Sequence, residues 1–407
     1  MFIVLSWRNV WRNPRRTIVI MTAVVIGVWC MIFLGALMRG IANQMVRNGI
    51  STLTGHIQVH QRGYRNDPVI ENSIRHPDEV ERALTAVCPP GSLWTPRVRV
   101  NAVASNARHS RGVTLVGIDP HREAPVSFIG TAVTDGNYLD PGDRRGVIIG
   151  KALAEKYETK LGWKLLVMSQ DEEGEIASKA FRITGIFRAE LESTETQYLF
   201  VTLPAAQEML SMKDGISEFS IVLPDHDTVD EVTAGLRSAL SAEQYAVHDW
   251  RELLPIVTEY LKIYDNFIYL WFLVVFIAMG FGIVNTTLMA VFERIREFGL
   301  LRSLGMKPLW IVREVLIESF FILFVGMVLG NLLGFLSIFI VSTTGIDLSS
   351  LAAGMEYAGM SRIIYPSIDI RDVLAANLFV LLLGLLVSLY PAIKAARFTP
   401  VEALSHT

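Results

Sequence analysis

Charge is scarce in this chain: 19% of its 407 residues are Asp, Glu, Lys or Arg, while 51% are apolar. A soluble protein of this length carries more charge, so the apolar excess is expected in membrane spans. Cysteine is nearly absent too. Cys30 falls in an apolar run and Cys88 in the polar middle of the chain, which argues against a bond between them, and a large domain can bury a sufficient core without disulfides. There is no paired Cys/His spacing of a zinc site, no HExxH and no GxSxG, and the eight histidines are scattered. Neither a metal centre nor a catalytic constellation is therefore expected. The segment GVIIGKA at 146–152 approaches a phosphate-binding loop, but such a loop needs glycine where Arg145 stands and Ser or Thr where Ala152 stands. No nucleotide site is expected on this chain, and the net charge of −3 gives no reason to expect nucleic-acid binding.

What the chain does have is long uncharged runs. A hydrocarbon core about 30 Å thick needs roughly 20 apolar residues in a helix. Four stretches, 17–38, 266–292, 319–346 and 373–393, contain no Asp, Glu, Lys or Arg and are predicted transmembrane helices. The first is too long for a signal-peptide core and lacks a small-x-small cleavage site. Basic residues flank the runs unevenly: Arg8, Arg12, Arg15 and Arg16 precede the first, Arg294, Arg296, Arg302, Lys307 and Arg313 separate the second and third, and Lys394 and Arg397 follow the fourth. The positive-inside rule then puts both termini (1–16 and 394–407) and the 293–318 loop in the cytoplasm, and 39–265 and 347–372 outside. The charge balance agrees. Residues 39–265 hold 24 basic and 31 acidic side chains, a net of −7, against 13 and 9 elsewhere, a net of +4. Before the first span, Trp7, Val10 and Trp11 share a helical face beside Arg8 and Arg12, which suits a helix lying in the headgroup region and broken before Pro14.

Between the first two spans the pattern changes to short β-rich runs, such as GHIQVHQ (55–61), VTLVGIDP (113–120) and FRITGIF (181–187), alternating with amphipathic helices over 76–87 and 228–240. An α+β domain in two lobes is predicted, the second beginning near Val147 and closing near Trp250.

The 293–318 loop reads FERIREFGLLRSLGMKPLWIVREVLIES with its flanks. Charged Glu293, Arg294 and Glu297 lead into Gly299, Leu300, Leu301, Arg302, Leu304 and Gly305, and Pro308 suits the first turn of the next helix. A short amphipathic helix projecting into water is suited to docking in a groove of another protein. In the third span Gly326, Gly330 and Gly334 recur every four residues, a spacing that permits close helix packing in lipid; packing within the same subunit is the plainer reading and a dimer seam the alternative. Glu318, at the edge of that span, is read as an interfacial carboxylate paired with Arg294 or Arg296.

The 292–305 segment closely resembles the signature of the FtsX-like, or MacB-type, permeases of ABC transporters. RNPRRT, TGHIQVHQRGY, GIDP, VIIGKALAEKYETKLG, FRITGIF, HDWRELLP and LYPAIKAARFTPVEAL look like further family landmarks in family order. The resemblance implies an inner-membrane, four-span, non-catalytic permease that works as a dimer, with an identical or paralogous second permease subunit and a separate ATP-binding subunit holding ATP and magnesium. It implies that residues 297–305 form the coupling helix and that ATP hydrolysis moves the periplasmic domain. GIDP and HDWRELLP resemble the lipoprotein-releasing branch most, so the expected cargo is a lipoprotein or another amphiphile, entering past Trp29, Phe33, Phe267, Trp271 and Phe272. A periplasmic carrier or adaptor is an expected partner of that branch. Here the sequence departs: SQDEEGEIASK (169–179) is short where carrier-dependent permeases have a longer, proline-containing hook. The alternatives are an ATP-driven regulator of a periplasmic partner such as a cell-wall hydrolase, with no cargo, and a sensor without any ATPase.

Overall fold

The computed structural model describes residues 2–347 and 363–398. In chain order, α1 (Phe2–Val10) and α2 (Pro14–Gly49) are followed by a π-helical turn, Ile50–Thr54, and then by an inserted domain. Its elements are β1 (Ile57–Gln61), α3 (Pro77–Val87), β2 (Leu93–Ser105), β3 (Ser110–Ile118), β4 (Val133–Gly136), β5 (Gly146–Gly150), β6 (Lys164–Gln170), β7 (Ile176–Phe187), β8 (Tyr198–Thr202), β9 (Glu218–Val222), α4 (Val229–Ala239) and β10 (Tyr245–Asp249), with several one- and two-turn helices between them. The chain continues as α5 (Pro255–Glu293), α6 (Ile295–Ser303), α7 (Pro308–Thr344) and α8 (Ile370–Arg397). The loop expected over 347–372 falls largely outside the described residues, as does the end of the tail expected over 394–407.

The chain divides into a helical unit, made of residues up to Asn43, Tyr260–Asp347 and residues from Ile363 on, and an α/β unit centred on Gln44–Glu259. The four helices α2, α5, α7 and α8 are each long and apolar enough to cross a membrane. Pro14 stands at the first turn of α2, after the break that separates α1. Inward-facing Val24, Val28, Met31, Phe272, Phe276, Leu323 and Val380 make the shared core, and the outward faces stay apolar, as a lipid-facing surface requires. The glycine stripe settles between α7 and α2 of the same chain. A Cβ added at Gly326 would lie 2.7 Å from Val24, at Gly330 2.8 Å from Val28, and at Gly334 3.1 Å from Ile32. The plainer packing reading is the one observed.

Two polar fasteners reinforce the bundle. Asn331 and Asn377 exchange amide hydrogen bonds of 2.7 and 3.0 Å between α7 and α8. Arg39 donates two 3.0 Å bonds to Asp372, lies 3.6 Å from Asp265 and stacks on Tyr264, tying α2 to α8 and α5.

In the α/β unit one sheet runs in the order β10, β1, β9, β2, β3, β8, β5, β7, β4, with β6 pairing both β2 and β7. Three cores lie against it. Ile57, Val59, Phe219 and Ile221 pack with Leu84 of α3 and Leu236 of α4; Val100, Leu115, Val147, Phe181, Ile183 and Leu199 make a second; and Val116, Ile118, Ile148, Phe187 and Phe200 make a third. The lobe boundary expected at Val147 and Trp250 is therefore corrected. β1 pairs antiparallel with both β9 and β10, so β9, α4 and β10 join β1 and α3 in the first lobe, and the second lobe is an insertion between β2 and β9. That pairing joins distant segments (Ile57 with Ile221 and with Asp249), and nothing in local periodicity announces it. The acidic segment at 169–179 is a tight β6–β7 hairpin. Gln170 pairs directly with Ile176, which leaves only 171–175 to turn the chain, and Gly174 supplies the positive φ of 82° that the turn needs.

Candidate coupling site

The junction after α5 is built around one guanidinium. Arg294 leaves helical geometry (φ −106°, ψ 13°) and caps the start of α6. Its Nε donates to Glu297 at 3.1 Å, Nη1 to Glu318 at 2.7 Å and Nη2 to Glu314 at 2.9 Å, and the group stacks on the Phe298 ring. The arginine thus ties α6 to two consecutive turns of α7. Residues before the first span complete the cluster: Arg12 donates to Glu297 at 2.5 Å, Arg16 to Glu293 at 3.2 Å and Asn9 to Glu314 at 3.0 Å. Glu318 pairs with Arg294, as the sequence suggested. The parts of Arg12, Arg16 and Asn9 were not legible, because they lie 277 to 305 residues from their partners, and Glu314 gave no signal of its own inside a charged helix start.

The other end of α6 is also held. Arg302 donates to the carbonyl oxygen of Ala396 at 3.2 Å and to that of Phe398, at the end of α8. Gly305 has φ +89° with open space around its Cα, so its requirement is conformational: it turns the chain toward Pro308 at the start of α7. Under α6 lies a separate core of Val291, Phe298, Ile311, Val315, Ala392 and Ala395, against which Leu301 packs.

Burial sorts the predicted residues. Gly299 is buried, Arg294, Glu297, Leu301 and Arg302 are turned into contacts within the chain, and Glu293 pairs with Arg16. Leu300 and Leu304, one turn apart, are 56% and 77% exposed. The outward apolar face of α6 is thus Leu300 and Leu304, and Leu301 is corrected to a partly buried position packed against that core.

The residues expected along a cargo path also separate. Phe272 is 1% exposed and packs toward Phe379 of α8, so it is removed from any lipid-facing path. Trp29 stacks on Phe33 and donates to Ser337 of α7 at 3.1 Å. Trp271 is partly buried, and Phe267 is half exposed.

A buried ionic centre, unmarked in the sequence, sits in the α/β unit. Arg97, wholly buried, grips Glu123 through bonds of 2.9 and 2.7 Å, reaches Glu218 at 3.4 Å and donates to the carbonyl of Leu53, which also accepts a 3.0 Å bond from Gln58. Burial alone would push the Glu218 carboxyl up, but the hydrogen bond from His60 and the charges of Arg99 and Arg97 outweigh it and hold the group down at about 2. The π-helical turn that follows α2 is thereby anchored to β2 by the charge-assisted bond from Arg97 and to β1 by the bond from Gln58.

A family model described as the MacB-like periplasmic core domain matches residues 17–239, and one described as the FtsX-like permease C-terminal matches 269–400. The lipoprotein-releasing system transmembrane protein LolC of Neisseria meningitidis is 23% identical over 96% of this chain and 94% of its own length. LolE of Haemophilus influenzae is 23% identical over 82% of each. Among solved structures, the periplasmic region of MacB from Actinobacillus actinomycetemcomitans is 14% identical, covering 53% of this chain and 98% of that one, with a TM-score of 0.36.

Proposed function

This chain belongs to the FtsX-like ABC transporter permeases that carry a MacB-like periplasmic core domain, and from that membership we propose that α6 is the element through which ATP hydrolysis on a separate subunit moves the periplasmic domain. It is an inner-membrane permease; the proposed orientation puts both termini and α6 in the cytoplasm. The observation that carries the reading is the mounting of α6. It is fixed at one end by Arg294 and at the other by Arg302, while Leu300 and Leu304 face outward. A helix fixed this way passes a push on to α7 and α8 instead of tilting under it. Fully burying a leucine is worth roughly 1.5–3 kcal/mol, which a groove of an ATP-binding subunit would supply.

The proposed cargo is a lipoprotein or similarly amphiphilic molecule, after the relatives named for lipoprotein release, with Phe267 as the exposed aromatic among the residues predicted for its path. The tight β6–β7 hairpin supports release without a soluble carrier docked there. The test is to purify the native complex and identify its bound molecules by mass spectrometry. An ATP-binding subunit with a lipid-modified or amphiphilic ligand is expected. Copurification of a periplasmic enzyme with no such ligand would favour the regulator, and absence of any nucleotide-binding subunit would exclude both.

A further inference from the structure

The outer faces of α7 and α8 form an open apolar cleft of about 450 Å³, lined by Leu309, Val312, Leu316 and Phe320 from one helix and Leu385 and Leu389 from the other, with Arg313 also lining it. From Arg313 to Phe320 the cleft follows α7 for about 10 Å at 1.5 Å per residue, within the ~15 Å of one hydrocarbon leaflet. Arg313 is exposed and, among the described residues, has no carboxylate partner; its guanidinium lies over the ring of Trp310, 5.6 Å from the centroid. An arginine without a carboxylate, flanked by a tryptophan and set against an apolar groove, matches an acyl chain joined to an anionic headgroup.

We propose that this cleft is a binding site for an anionic phospholipid, with the acyl chain along Leu316, Phe320 and Leu385 and the phosphate on Arg313. Assignment to the inner leaflet rests on the proposed orientation; the binding does not. The site is on the third and fourth spans, apart from Phe267, so cargo capture and lipid binding succeed or fail independently. A lipid held there would pin α7 to the membrane surface close to Glu314 and Glu318, where α6 is fastened.

The test uses the full chain, delipidated in detergent, with native mass spectrometry of added dioleoyl phosphatidylglycerol or phosphatidylcholine. The wild type should prefer phosphatidylglycerol. Arg313→Gln should weaken phosphatidylglycerol binding by about fivefold, the effect of one basic residue near an anionic lipid, and leave phosphatidylcholine unchanged; Arg313→Lys should retain most of the preference. Leu389→Trp, filling the cleft, should weaken both. Equal affinity of the wild type for the two lipids, or an unchanged preference in Arg313→Gln, would overturn the proposal. A benzoylphenylalanine in place of Leu389 should capture phospholipid in membranes, and a protein adduct there, whether a second copy or another chain, would overturn it as well.

Discussion

Among single residues, Arg294 and His56 make opposite demands on their surroundings. Arg294 serves Glu297, Glu314 and Glu318 at once, and Glu314 and Glu318 are buried. Removing the cation leaves both carboxylates without compensation, a loss of about 3–5 kcal/mol for a broken buried pair. Arg294→Met should therefore lower the thermal midpoint of the purified chain strongly, and adding Glu318→Gln should recover part of it; a midpoint unchanged by Arg294→Met would contradict the arrangement. His56 is kept neutral. Its Nδ1 accepts from the Leu223 amide at 3.1 Å and its Nε2 meets His226 Nδ1 at 2.9 Å, and burial, with the neighbouring His226, pushes it down to about 4. Below its ordinary value near 6.5 the unfolded chain takes up a proton that the folded chain refuses, so stability should fall as pH drops from about 6.5 to about 4. Thermal midpoints of wild type and His56→Gln across that range check this: the wild-type decline should be steeper. Parallel curves would show that His56 does not titrate as described.

Helices and strands were easier to find in the sequence than the directions in which they face. The α6 segment and the small-residue stripe of α7 were both legible, since charge spacing, Gly305 and Pro308 act locally. That Leu301 turns inward was not legible, because the core receiving it is assembled from α5, α6, α7 and α8, which come from separate stretches of the chain. The same cause misplaced the lobes. The glycine stripe offers a direct check: Gly330→Leu should force α7 from α2, costing about 1–3 kcal/mol as overpacking does. Gly282→Leu is the control, since its added Cβ would meet only Ala23, at 3.9 Å. Thermal unfolding of the two variants in detergent should show the larger loss for Gly330→Leu, and equal losses would deny the seam.

The molecule as a whole contains three kinds of rigid joint: a fastened α6, a helical bundle closed by Arg39 and by the Asn331–Asn377 pair, and an α/β domain whose entry turn is locked by Arg97. Each suits transmission of movement. The family was readable from motifs because these are contiguous; the joints were not, because each is assembled from distant parts of the chain. Whether α6 couples the chain to the proposed ATP-binding subunit is decided by retention of that subunit, with the ATP hydrolysis it supports, when the chain carries Leu300→Asp and Leu304→Asp together. Both side chains are exposed, so the variant should fold, insert and melt like the wild type, yet lose the ATP-binding subunit on purification or retain it with hydrolysis uncoupled from transport. Full association together with full transport by that variant would contradict the assignment of α6 as the coupling element.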